Sequence, residues 1–199
     1  VTVAKGSTGA KTFTANFTPI SYTITYNLDG GTNNPDNPTE YTIETATITL
    51  KAPAKENFEF TGWTPDGTIS TGSTGNKTYY AKWTANTYTV TLNANGGTGG
   101  TASVTATYGQ AMPALTSIPT RTGYTFAGYY DTSAETGGTQ YYTSAKASAT
   151  TYTTAGTKTL YARWEKIKCT VTISTGWAKG VTTTTTVTAT YGEAMPTLT

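Results

Sequence analysis

The chain has 199 residues, only 12% of them charged, and a net charge of +2, with Lys and Arg scattered rather than gathered into a basic stripe, which argues against a nucleic-acid surface. It has no His, which excludes Ser/His/Asp and Cys/His catalysis and His-bound metals, and a single Cys, which excludes an internal disulfide. No run approaches about 18 apolar residues, so no helical membrane span is expected; abundant Thr, 15 Tyr and 21 Gly point instead to β-structure with solvated Thr faces and tight turns.

Lys11–Phe17 is the first strand-like run, and residues 1–19 read as the C-terminal part of a preceding repeat. A complete unit is expected over 20–84. Its first strand, Tyr22–Leu28, alternates strictly: Tyr22, Ile24, Tyr26 and Leu28 fall on one face, Thr23, Thr25 and Asn27 on the other. Asp29-Gly30-Gly31 supplies a turn, extended by Asn33–Pro38. A second strand over about 41–49, a connector to Pro53, a third strand at Phe58–Trp63, a Gly/Ser/Thr-rich loop over 64–77 and a last strand at Thr78–Trp83 complete it.

A second complete unit, 85–165, repeats the first at a constant offset (88 − 22 = 66). Tyr88–Leu92 follows Tyr22–Tyr26, Gly96-Gly97 follows Gly30-Gly31, Pro119 follows Pro53, and Tyr124–Tyr129 follows Phe58–Trp63. The connector Tyr108–Leu115 predicts one short helical turn bounded by prolines. The last strand, Lys158–Trp164, lies further on (164 − 83 = 81), so the extra length falls in 131–155, expected as a surface loop. Residues 166–199 read as the N-terminal half of a further repeat, with strands at Thr170–Ile173 and Val187–Tyr191. Cys169 takes the place of Tyr22 and Tyr88 and is expected half-buried, and Thr182–Thr186 is expected to be exposed. Both ends cut through a repeat, so the chain reads as a fragment of a longer protein whose half units neighbouring chains complete.

Candidate chemistry is sparse. Asp29, Asp36, Asp66 and Asp131 sit beside Gly, Asn, Pro or Thr and read as turn formers rather than as paired catalytic carboxylates. Asn33, Asn34, Asp36 and Asn37 offer oxygens to Ca²⁺ but only one carboxylate, and turn chemistry is the simpler reading. No cofactor or metal site is expected. Trp63, Trp83 and Trp164 recur with the fold and are expected in cores rather than on a sugar platform. Trp177, in Gly176-Trp177-Ala178, stands where other units have Gly-Gly, leaving ligand contact and packing on a neighbouring unit both open. Tyr129, Tyr130, Tyr141 and Tyr142 flank the long excursion and are open to the same two readings, a binding surface or packing.

The ordered set Tyr88–Leu92, Gly96-Gly97-Thr98, Tyr108–Pro113, Thr122–Tyr130 and Thr159–Trp164 resembles the Listeria–Bacteroides repeat, the family of the B repeats of Listeria internalins. Residues 52–56 depart from it, lacking the Tyr-Gly-x-Ala-Met-Pro run. The resemblance implies tandem small β-grasp-like domains, mainly β, each of about four strands with a short helical turn, in exported bacterial surface proteins acting as spacers or adhesive modules, with no catalytic residues. Expected partners are neighbouring repeats and a host or matrix protein or glycan. The competing readings are a carbohydrate-binding module and an accessory domain of a larger extracellular enzyme.

Overall fold

The computed structural model describes residues 1–175 and 183–197, and the chain divides into two compact units, Val1–Thr84 and Ala85–Thr199. In unit 1, β1 (Ser21–Asn27), β2 (Glu40–Thr42), β3 (Ile48–Thr49), β4 (Phe58–Thr64), β5 (Thr68–Ile69) and β6 (Lys77–Ala85) form a sheet of order β2-β1-β6-β4 and a small ladder of β3 with β5. β1 runs antiparallel to β2, with Tyr22 opposite Tyr41, and parallel to β6, with Ile24 opposite Lys77. The alternation read in β1 is present: Ile24 joins Tyr41, Leu50, Trp63, Ile69 and Tyr79 in the core, while its Thr residues face outward. The second strand expected over 41–49 is instead split in two. Thr42 N donates to Thr45 Oγ1 at 2.8 Å and Thr45 N to Thr42 O at 3.0 Å, a hydroxyl-closed turn that competes with the ladder. Lys11–Phe17 forms no strand, and Phe17 is 90% exposed: β6 is held between β1 and β4, and Lys11–Phe17 has no such flanking strands.

In unit 2, β7 (Thr87–Asn93), β8 (Ser103–Thr107), β9 (Tyr124–Tyr130), β10 (Gln140–Thr143) and β11 (Lys158–Lys166) form a five-stranded sheet of order β10-β9-β11-β7-β8. β7 and β11 are parallel, with Val90 opposite Lys158, and β9 is antiparallel to β11. β12 (Lys168–Thr175) and β13 (Thr183–Thr190) pair as a two-stranded antiparallel ribbon. Cys169, expected half-buried, is exposed in this two-stranded ribbon, although Ala189 opposite it is buried.

There is no helix among the described residues, so the helical turn expected at 108–115 is corrected. Tyr108–Gln110 form a turn, closed by Gln110 N donating to Thr107 O at 3.1 Å, and beyond it Ala111 bridges Thr151 in a path without helix. Its backbone groups find other partners: Met112 N donates to Ser148 Oγ at 2.9 Å, and Pro113 O accepts from Tyr142 Oη at 2.7 Å. Met112 and Leu115 are buried from this path, so side-chain burial outweighs the weak local helix preference.

One device recurs in both units. The indole of the last strand clasps the turn after the first. Trp83 Nε1 donates to Leu28 O at 3.0 Å; Trp164 Nε1 donates to Ala94 O at 3.0 Å and Asn95 O at 3.1 Å. The indole lies so close that a Cβ on Gly31 or Gly97 would collide with it, and on Gly97 would also stand 2.8 Å from Thr120 O. Gly97→Ala is therefore expected to lower the stability of unit 2 by about 1–3 kcal/mol through overpacking, read as a shift in its urea midpoint.

Candidate functional site

The core of unit 2 absorbs most of the candidate binding residues. Tyr129 and Tyr142 are fully buried and Tyr141 nearly so, in one cluster with Val90, Leu160 and Tyr152. A buried ring offers no face to a partner, and of the two readings left open at these three positions the structure shows packing. Tyr130 alone keeps partial exposure, with the Arg163 guanidinium 3.5 Å from its ring centroid. Trp177 lies outside the described residues.

The excursion 131–155 is not merely a surface loop. It supplies β10 and three core tyrosines, Tyr141, Tyr142 and Tyr152. Adjacent strand residues normally face opposite ways. Here a register shift between Gln140 and Tyr142 lets both Tyr141 and Tyr142 turn inward. Opposite the shift, Gly128 sits at φ 135°, where a Cβ would collide with Tyr142 O.

Asp131 closes the base of the excursion. Thr139 N donates to Asp131 Oδ1 at 2.7 Å, Asp131 N donates to Thr139 O at 3.2 Å, and Lys158 Nζ reaches Asp131 Oδ2 at 3.4 Å and Tyr141 Oη at 2.9 Å. The Thr139 amide holds the Asp131 carboxyl below the usual carboxylate range; burial opposes this and Lys158 reinforces it. A depressed folded pKa means stability that is present above the unfolded value of about 3.9 and is lost as pH falls through the folded value. Unit 2 is expected to weaken below about pH 4, with Asp131→Ala costing about 1–3 kcal/mol at neutral pH and little at pH 2. Urea midpoints of both proteins across this range test it.

The Asn-rich turn of unit 1 uses its own oxygens. Asn37 Nδ2 donates to Asn33 Oδ1 at 2.8 Å and to Lys51 O at 3.0 Å, Lys51 N donates to Asn37 Oδ1 at 2.7 Å, Asp36 N donates to Asn34 Oδ1 at 3.1 Å, and Asp36 pairs with Lys51. This is turn chemistry, with few oxygens left for Ca²⁺. Among the described residues no three His, Cys, Asp or Glu side chains gather as metal ligands. No helix among them is long and apolar enough to cross a membrane.

One cleft open to a ligand, of about 290 Å³, lies in unit 2 and is bordered by Asn95, Arg121, Tyr124, Glu135, Arg163 and Trp164. Arg121 stacks with its guanidinium carbon 4.0 Å from the Tyr124 ring centroid. Arg163 Nη2 donates to Ala134 O at 3.3 Å and Gly137 O at 2.5 Å, and its Nε is buried without a hydrogen-bond partner. Neither arginine stands out in the sequence. The repeat offset contains the signal, because Arg121 matches Lys55 and Arg163 matches Lys82, but aromatics are the more conspicuous residues along this chain.

Comparison with known proteins gives the family context. The sequence profile of the Listeria-Bacteroides repeat domain matches residues 22–83 and 88–163. A protein of Evansella cellulosilytica named as a Gly-rich membrane protein is 30% identical over 72% of this chain and 16% of its own length. Internalin H of Listeria monocytogenes is 36% identical over 58% of this chain and 20% of its own length. A second Evansella cellulosilytica protein, named as a membrane protein, is 31% identical over 72% of this chain and 21% of its own. The chain thus spans about a fifth or less of the curated relatives it matches. No solved structure matches it.

Proposed function

The chain belongs to the Listeria-Bacteroides repeat family, and on that premise we propose that it is a non-catalytic spacer region of a bacterial cell-surface protein, built from complete repeats at 20–84 and 85–165 flanked by partial repeats at 1–19 and 166–199. The observation that carries this reading is that units 1 and 2 hold separate hydrophobic cores, one around Ile24, Trp63 and Tyr79, the other around Val90, Tyr129 and Leu160. A unit that buries its own apolar face can be added or removed without disturbing the next, and each addition lengthens the array. The relatives named as internalin and membrane proteins support the cell-surface placement. The strand order of unit 2, with its first and last strands parallel and central, supports a β-grasp-like repeat that dispenses with the helix. Adhesive contacts of array and partner, a host or matrix protein or glycan, gain avidity from repetition.

Display of a fixed epitope on a bacterial surface above one, two or four copies of 20–165 tests the spacer role. Antibody access rising with copy number supports it; access independent of copy number contradicts it.

A further inference from the structure

The two complete units serve as each other's control. Position by position, Asp29 of unit 1 corresponds to Asn95, Lys55 to Arg121 and Phe58 to Tyr124. The backbone is the same at the first pair, with φ of 47° at Asp29 and 48° at Asn95. In unit 1 the cation is neutralised within the repeat: Lys55 Nζ lies 2.6 Å from Asp29 O and 3.1 Å from Asp29 Oδ2, above the Phe58 ring. Unit 2 keeps the cation and the ring beneath it but has lost the carboxylate. Asn95 is uncharged, and its amide nitrogen donates elsewhere, to Ser133 O at 3.2 Å and Ala162 O at 3.0 Å. No ion pair among the described residues involves Arg121. Arg163 borders the same cleft, where unit 1 has the exposed Lys82, and Glu135 is the single carboxylate on the rim.

We infer that the cleft of unit 2 binds a carboxylate-bearing sugar residue, a hexuronate, whose carboxylate takes the place beside Arg121 that the Asp29 carboxylate occupies beside Lys55. This goes beyond the spacer reading and does not depend on it. Three features choose this ligand class. The change from Lys to Arg replaces a point charge by a planar fork of donors matched to a carboxylate. Trp164, only partly buried, borders the cleft and gives apolar surface for the C–H face of a sugar ring, while Tyr124 holds the Arg121 guanidinium stacked at its edge of the cleft. The volume, about 290 Å³, is at the small end of ligand sites and suits one ring rather than a long apolar molecule.

The test is an ¹H–¹⁵N NMR titration of the whole 199-residue chain with sodium glucuronate, and in parallel with glucose, sodium acetate and inorganic phosphate. Saturable shifts are expected with glucuronate at the Arg121 side-chain Nε–H and the Trp164 indole N–H. Glucose is expected to give none, and acetate and phosphate weaker effects. Arg121→Gln, with a spectrum otherwise unchanged, is expected to weaken glucuronate binding about tenfold or more. Shifts confined to other residues, no saturation, equal binding of glucose, equal binding of acetate or phosphate, or an unaltered Arg121→Gln titration would each overturn the assignment. If Arg121→Gln loses its dispersed spectrum, the wild-type shift map decides alone.

Discussion

Trp164→Ala is expected to lower the stability of unit 2 by about 3–5 kcal/mol. The indole is only partly buried, but three effects converge on it. It packs on the main core, with its ring centroid 5.9 Å from that of Phe126. It hydrogen-bonds Ala94 O and Asn95 O, so its removal strips both carbonyls of this donor. It fills the space directly above Gly97, and a side chain shortened to a methyl leaves a cavity that the rigid turn closes poorly. Small domains start from about 5–15 kcal/mol, so the loss consumes a large share of what holds the unit together. Urea unfolding followed by resolved amide signals from each unit measures it. The signals of unit 1 are expected to keep their midpoint. A loss under about 1 kcal/mol would mean that the clasp is ornamental.

Tyr142→Ala is expected to cost a similar amount, about 3–5 kcal/mol. The side chain is fully buried, its ring centroid 6.2 Å from that of Tyr129, and its hydroxyl donates to Pro113 O at 2.7 Å. Burial pushes that hydroxyl up to about 12, so it stays a neutral donor throughout the ordinary pH range. The bond ties the excursion to the connector 108–115, and the two segments have no helix between them to share the load. Tyr142→Phe separates the contributions, with a loss of about 1 kcal/mol expected from the hydrogen bond alone. Surface-loop substitutions usually stay within about 0.5 kcal/mol, so a Tyr142→Ala value in that range would restore the excursion to a loop.

These two residues also mark how far the fold can be read from the chain. The first, third and last strands of each unit are legible because their aromatic and aliphatic residues alternate with Thr, and because Lys77–Trp83 returns as Lys158–Trp164. Trp63, Trp83 and Trp164 are legible as structural from their recurrence. Tyr141 and Tyr142 are not, since adjacent residues share a face only through a bulge, and a bulge has no signature in the surrounding Gly, Ser and Thr. The connector misleads because Ala111, Met112 and Leu115 suit a short helix locally, while the buried positions that Met112 and Leu115 fill are set by the sheet. The cleft is harder still. Its basis is a change of charge, Asp29 to Asn95, inside a turn where both residues are ordinary turn formers. Only the pairing of that turn with Lys55 in one unit and Arg121 in the other gives the change a meaning.

The central claim is that each complete unit is a self-contained β-domain. Equilibrium urea unfolding of isolated 20–84 and isolated 85–165, compared with the intact chain, tests it most directly. The account predicts a single cooperative transition for each piece, with a midpoint close to that of the same unit in the intact chain. Pieces that are unfolded in isolation, or that fold only when mixed, would contradict it.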